Sequence, residues 1–123
     1  MASPVVHFEV MTNGDAEELQ KFYSDTFGWN IDSNPVPGGP QVSYGLVSDQ
    51  DAGIGGGIGG TPDPNMPGHV TFYVQVADPE ATLKEVESRG GQTVMGAEEV
   101  VPGTTIAMFR DPHGNLIGLT KGE

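Results

Sequence analysis

Cysteine is missing altogether from the 123 residues. That excludes disulfides, thiolate chemistry and Cys-based zinc sites. Positive charge is scarce, with five Lys and Arg against 17 Asp and Glu, and the formal net charge is −12. Such a surface repels nucleic-acid phosphates and anionic lipid headgroups, so neither nucleic acid nor a membrane is expected as a partner. Long apolar runs are lacking too. None approaches the roughly 20 residues of a membrane-spanning helix. Met1-Ala2-Ser3-Pro4 has no basic stretch and no apolar stretch of the kind that opens a signal peptide, and a cytoplasmic location is expected. Acyl transfer is not favoured, because no Ser-His-Asp order with supporting motifs is found.

Turn formers, by contrast, are plentiful, with 19 Gly and 10 Pro. The apolar residues still fall in periodic clusters, which argues for a folded domain rather than a disordered chain. In Val5–Val10, Val6, Phe8 and Val10 share one strand face, and Val5, His7 and Glu9 share the other. Asp15 followed by Glu18 resembles a capping box. Ala16, Leu19, Phe22, Tyr23 and Phe27 then recur at helical spacing, and Gly28 suits a left-handed C-cap, so a helix over about Ala16–Phe27 is predicted. Short strands are expected at 29–33 and 42–47, with a Pro/Gly loop at 34–40 and a turn at Asp49-Gln50-Asp51. The glycine-rich stretch 53–60 is read as a strand with Ile54 and Ile58 on one face, its glycines marking close approach by a backbone or ligand. It does not match a phosphate-binding loop.

After a connector over 61–68 the opening pattern returns. His69–Val76 reads as a strand. Asp78-Pro79 caps a second helix, with Glu80–Lys84 and Glu85–Arg89 as i,i+4 ion pairs and Gly90-Gly91 at its end. Strands follow at 92–96, 104–109 and 116–120, the last two joined by a type I turn at Asp111-Pro112-His113-Gly114. The order β-α-β-β-β therefore occurs twice, as an internal repeat of roughly 60 residues. The fold class is α+β, a single domain over 1–123 with one module over about 1–62 and a second over about 63–123.

The residues that carry a family likeness are His7-Phe8-Glu9-Val10, Phe22-Tyr23 and Phe27-Gly28-Trp29 in the first half. In the second they are Thr71-Phe72-Tyr73-Val74, Asp78, Gly90-Gly91 and Asp111-Pro112-His113-Gly114-Asn115-Leu116-Ile117-Gly118-Leu119. Together they resemble the vicinal oxygen chelate (glyoxalase/bleomycin-resistance/dioxygenase) superfamily across essentially the whole chain. The resemblance implies two βαβββ modules with curled mixed sheets enclosing a cup-shaped pocket. It leaves the chemistry open among glyoxalases, extradiol dioxygenases, epimerases, fosfomycin-modifying enzymes and drug-sequestering proteins.

For metal-dependent members the resemblance implies a His and carboxylate set. Its first-strand ligand falls at His7, and its last-strand carboxylate falls at Gly118, which has no side-chain donor. The fifth-strand histidine falls at Thr71 if Asp78 sets the register, and at His69 if the halves are aligned from Gly28 and Gly90. His7 and Glu9 are the candidate catalytic residues. Tyr44, Thr71, Tyr73, Met108 and Gly118 are candidate ligand-binding positions, and His7 with His69 is the candidate metal pair. Trp29 is read as a packing residue and His113 as a solvated turn residue.

The leading expectation is a small-molecule-binding protein that needs no metal or other cofactor. The alternative is a lyase, isomerase or dioxygenase with a divalent metal on His7, Glu9 and His69. A regulatory subunit without a ligand is the third reading. A homodimer is expected, because small open sheets expose edges that need covering.

Overall fold

A computed structural model describes residues 2–32, 44–61 and 65–122. The expected loop at 34–40, Ser33, Val42, Ser43 and part of the connector at 62–64 lie outside the described residues. The chain is mixed α+β. Its elements run β1 (Val5–Thr12), α1 (Ala16–Phe27), β2 (Ile31–Asp32), β3 (Tyr44–Val47), α2 (Asp49–Ala52), β4 (Gly55–Gly60), β5 (His69–Val76), α3 (Pro79–Ser88), β6 (Gln92–Val101), β7 (Thr104–Arg110) and β8 (Leu116–Lys121). Each half is βαβββ, and the first carries the one-turn helix α2 in addition.

Two compact units divide the chain, one of residues 7–70 and one of residues 1–6 with 71–123. The N-terminal six residues thus group with the later half. There the Gln75 amide donates to the Pro4 carbonyl at 2.9 Å.

In the unit of residues 7–70 the strand order is β2-β3-β4-β1. β4 is central, parallel to β1 and antiparallel to β3, with His7, Glu9 and Ile58 facing Gly55, Gly57 and Val10 in register. Alternation sends Phe8, Val10, Gly56 and Ile58 to one face. Helix α1 covers that face. The Asp15 carboxylate accepts from the amides of Glu17 and Glu18 at its start, and Gly28 closes it at φ 74°. Ile58 is fully buried. Gln20 is buried as well, its Nε2 donating to the Ile58 carbonyl at 2.7 Å. Trp29 stacks on Tyr23, with ring centroids 5.7 Å apart and planes 6° apart, and lies 5.6 Å from Phe8. It is a packing residue, as expected.

The other unit has the order β5-β8-β7-β6. Leu83 of α3 packs on Ala107 and Leu119, with Val74, Val76, Ala97 and Phe109 around them. Asp78 caps α3 by accepting from the Ala81 amide. The turn joining β7 to β8 closes through the Gly114 amide to the Asp111 carbonyl at 2.9 Å. Asp111 also accepts from the amides of His113 and Asn115. His113 is exposed there.

Four expectations need correction. Asp49-Gln50-Asp51 is part of a short helix rather than a turn, because Ser48 caps it by accepting from the Gln50 amide. Ile54 lies outside β4 and is half-exposed, so Ile58 alone anchors that strand. β6 runs five residues beyond 96, with register shifts that let it bend while staying paired to β7. Of the two ion pairs expected on α3, Glu85–Arg89 forms, whereas Glu80–Lys84 is not among the ion pairs of the described residues. Lys21–Asp25 on α1 is the other one found.

Candidate functional site

His7 and Glu9 stand two residues apart on β1, so both leave the face that α1 does not cover. Their partners across the sheet are Gly55 and Gly57. Glycine at 55, 57 and 59 leaves the open side of β4 bare of side chains. Tyr44 uses that gap. It starts on β3 opposite Gly59, and its ring lies over Gly57, where an added methyl would overlap the phenol. The side chain thereby crosses one strand and reaches β1. The phenol donates to Glu9 Oε2 at 2.9 Å and lies 3.0 Å from His7 Nε2. The phenol has one proton, and it is directed at Glu9. Its oxygen can then accept from His7 in the tautomer whose Nε2 carries the hydrogen.

Burial shapes the electrostatics. Glu9 is only 9% exposed and accepts from the phenol. His7 is half-buried, and desolvation holds its imidazole below the ordinary value of 6.5, so the ring is neutral at pH 7. The glycines of 53–60 were expected to mark a close approach, and they do, but the approaching groups are the rings of Tyr44 over Gly57 and Phe8 over Gly56. Tyr44 is more central than sequence reading made it, being the link between His7 and Glu9. The available signal was glycine at every second position opposite a tyrosine strand.

The remaining candidates fall elsewhere. Tyr73, Met108 and Gly118 are cross-strand neighbours in the other unit. The Tyr73 ring lies over Gly118 just as Tyr44 lies over Gly57. Thr71 is buried, and its hydroxyl donates to the Leu116 carbonyl at 2.6 Å. His69 opens β5 and is half-buried.

Donors for a metal can be tested against this geometry. Among the described residues no group of three or more His, Asp or Glu side chains could hold an ion. Gly118 offers no ligand, the Thr71 hydroxyl is directed at a carbonyl, and His7 Nε2 faces the Tyr44 phenol. These residues do not fit the His and carboxylate set of the metal-dependent relatives.

The family described as the Glyoxalase/Bleomycin resistance protein/Dioxygenase superfamily matches residues 5–119. The chain belongs to this superfamily. CFP32 of Mycobacterium tuberculosis, which bears a glyoxylase name, is 34% identical over 112 residues, covering 89% of this chain and 42% of CFP32. The chain thus spans less than half the length of that relative. Among solved structures, the hypothetical protein BH1468 from Bacillus halodurans C-125 superposes with a TM-score of 0.73 at 12% identity, covering 100% of this chain and 96% of the other. Methylmalonyl-CoA epimerase from Mycobacterium tuberculosis superposes with a TM-score of 0.69 at 15% identity, covering 97% and 87%. At such identities the superpositions establish the glyoxalase-like fold and nothing finer.

Proposed function

We propose that this glyoxalase-superfamily chain binds a small molecule against the open face of β1 and β4 through Glu9, Tyr44 and His7, without a metal ion. The observation that carries the reading is the bridge of Tyr44 between Glu9 and His7 across a strand stripped of side chains. Binding faces of this kind pair apolar surface with a few convergent polar groups. The glycines of β4 let the Tyr44 ring lie over Gly57, and the three side chains supply direction. Thermal-shift and NMR titrations against a chemically diverse compound set test this. Binding that moves the amide resonances of Gly55 and Gly57, and that weakens about tenfold or more in Tyr44→Phe, is expected. Compounds that bind without moving those amides would overturn it.

A second reading has its own support. Glu9, Tyr44 and His7 form an unbroken hydrogen-bonded chain, which suits proton transfer beside a carbonyl, with Glu9 as base. One structural neighbour is an epimerase crystallised with methylmalonyl-CoA. Under this reading Glu9→Gln abolishes turnover of a carbonyl substrate, whereas equal rates in wild type and variant exclude it. The metal-dependent alternative with His7, Glu9 and His69 predicts tight uptake of nickel, zinc or manganese, measurable by calorimetry. A second copy of this chain is the proposed partner. Phe22 and Phe27 on α1 are more than half exposed and offer apolar surface for pairing, and a monomer in sedimentation at micromolar concentration would contradict it.

A further inference from the structure

Asn13 and Gly14 lie between β1 and α1, and both are exposed. Of the asparagines at 13, 30, 34, 65 and 115, Asn13 alone precedes a glycine. That order matters chemically. An asparagine amide is open to attack by the backbone nitrogen of the next residue, and a Cβ on that residue obstructs the approach. Around Gly14 the space is clear, since even an added methyl would meet nothing nearer than the Thr12 hydroxyl oxygen at 3.4 Å. The Gly14 amide donates to that same hydroxyl at 2.9 Å rather than into a strand ladder. The Asn13 carboxamide has no hydrogen-bond partner among the described residues. Asn115 is the contrast. Its Nδ2 donates to Asp111 Oδ2 at 2.9 Å, its backbone amide donates to Asp111 Oδ1 at 3.0 Å, and Leu116 follows it at the start of β8.

We infer that Asn13 is a site of self-modification, at which the chain converts its own asparagine to isoaspartate and aspartate without an enzyme. The Gly14 nitrogen gives its proton to solvent and bonds to Asn13 Cγ. The bond from Cγ to Nδ2 breaks, and Nδ2 takes up a proton and leaves as ammonia. Water then opens the cyclic imide. Opening at Cγ gives aspartate. Opening at the Asn13 backbone carbonyl gives isoaspartate, whose main chain runs through Cβ and Cγ and is longer by one methylene. No oxidant, reductant or cofactor enters. Each conversion adds a further negative charge to the −12 of the chain.

The longer product lies between two anchors. Before it, Met11 and Thr12 pair with Gly59 and Gly60, and the Thr12 carbonyl accepts from the Thr61 amide at 2.9 Å. After it, Asp15 holds the start of α1 by accepting from the amides of Glu17 and Glu18. An added main-chain atom displaces one anchor or the other, so isoaspartate at 13 weakens the seating of α1.

The test incubates the full chain in mildly alkaline buffer, folded and in urea, followed by trypsin digestion. Lys21 is the first basic residue, so residues 1–21 are released as one peptide. In the folded chain that peptide should acquire acid at 13, with isoaspartate exceeding aspartate, at a rate within severalfold of that in urea. Asn115 should remain an amide. Gly14→Ala should slow the conversion severalfold, and Asn13→Gln, whose ring closure is less favourable, should suppress it. The isoaspartate form, isolated by anion exchange, should melt below the unmodified chain, with Asn13→Asp melting close to the latter. Asn13 that persists in the folded chain while converting in urea would overturn the inference. Aspartate formed without isoaspartate bypasses the imide and overturns it as well. An isoaspartate form that melts with the unmodified chain overturns the anchoring and leaves the site standing. If Gly14→Ala fails to fold, Asn13→Gln at an exposed side chain still decides the chemistry.

Discussion

Tyr44 reaches Glu9 and His7 because Gly57 has no side chain. A methyl at 57 would stand inside the phenol ring, so Gly57→Ala has to displace Tyr44 or bend β4. Overpacking of this sort costs about 1–3 kcal/mol. The expected result is a lower urea midpoint together with loss of ligand response, whereas Gly96→Ala, with open space around it, should leave both nearly unchanged. His7 carries a pH signature. Its folded value lies below 6.5 because burial opposes the charge, so between that value and 6.5 the unfolded chain binds more protons. Stability from this residue is therefore present above 6.5 and is lost as pH falls below it. Melting curves of wild type and His7→Gln should diverge on acidification, with the wild type losing ground. Parallel curves would show that the imidazole stays solvated. Asp111 acts the same way at lower pH. Its hydrogen bonds from Asn115 hold its carboxyl below 3.8, and the turn between β7 and β8 should loosen only as pH drops toward and below that value.

At the level of elements, local chemistry decides what was legible. Helix α1 matches its predicted bounds because Asp15 and Gly28 act through neighbouring backbone groups. Asp15→Ala removes the acceptor for two amides and should cost about 1 kcal/mol, read as a shift in the denaturation midpoint. His69–Val76 also matches, since alternation is local. Other features were hidden in the sequence. Ser48-Asp49 serves equally as turn former or helix cap, so α2 read as a turn. Residues 97–101 lack clean alternation because bulges break the pairing with β7, and β6 read short. The site was half visible. Spacing places His7 and Glu9 on one face, but Tyr44 joins them only because β4 lies between β3 and β1, and strand order is a long-range property. Family resemblance located Gly118 yet gave no hint that the Tyr73 ring occupies the space above it.

For the molecule as a whole, the charge of −12 is a standing cost. Self-repulsion opposes compaction and is screened when the Debye length falls from about 10 Å at 0.1 M salt to about 3 Å at 1 M. The melting temperature should therefore rise with added sodium chloride, and a flat response would mean that the acids are too dispersed to interact.

A tyrosine resting on a glycine occurs at Tyr44–Gly57 and again at Tyr73–Gly118. The two members of each couple constrain one another's mutational history. A lineage that acquires Glu at 118 before trimming the residue at 73 passes through an overpacked, destabilised chain. The reverse order passes only through a chain with a cavity, which is the cheaper defect when a neighbour can relax into it. Gly118→Glu in the present background should thus yield a destabilised protein with no gain in cation uptake, and pairing it with Tyr73→Ala should recover folding.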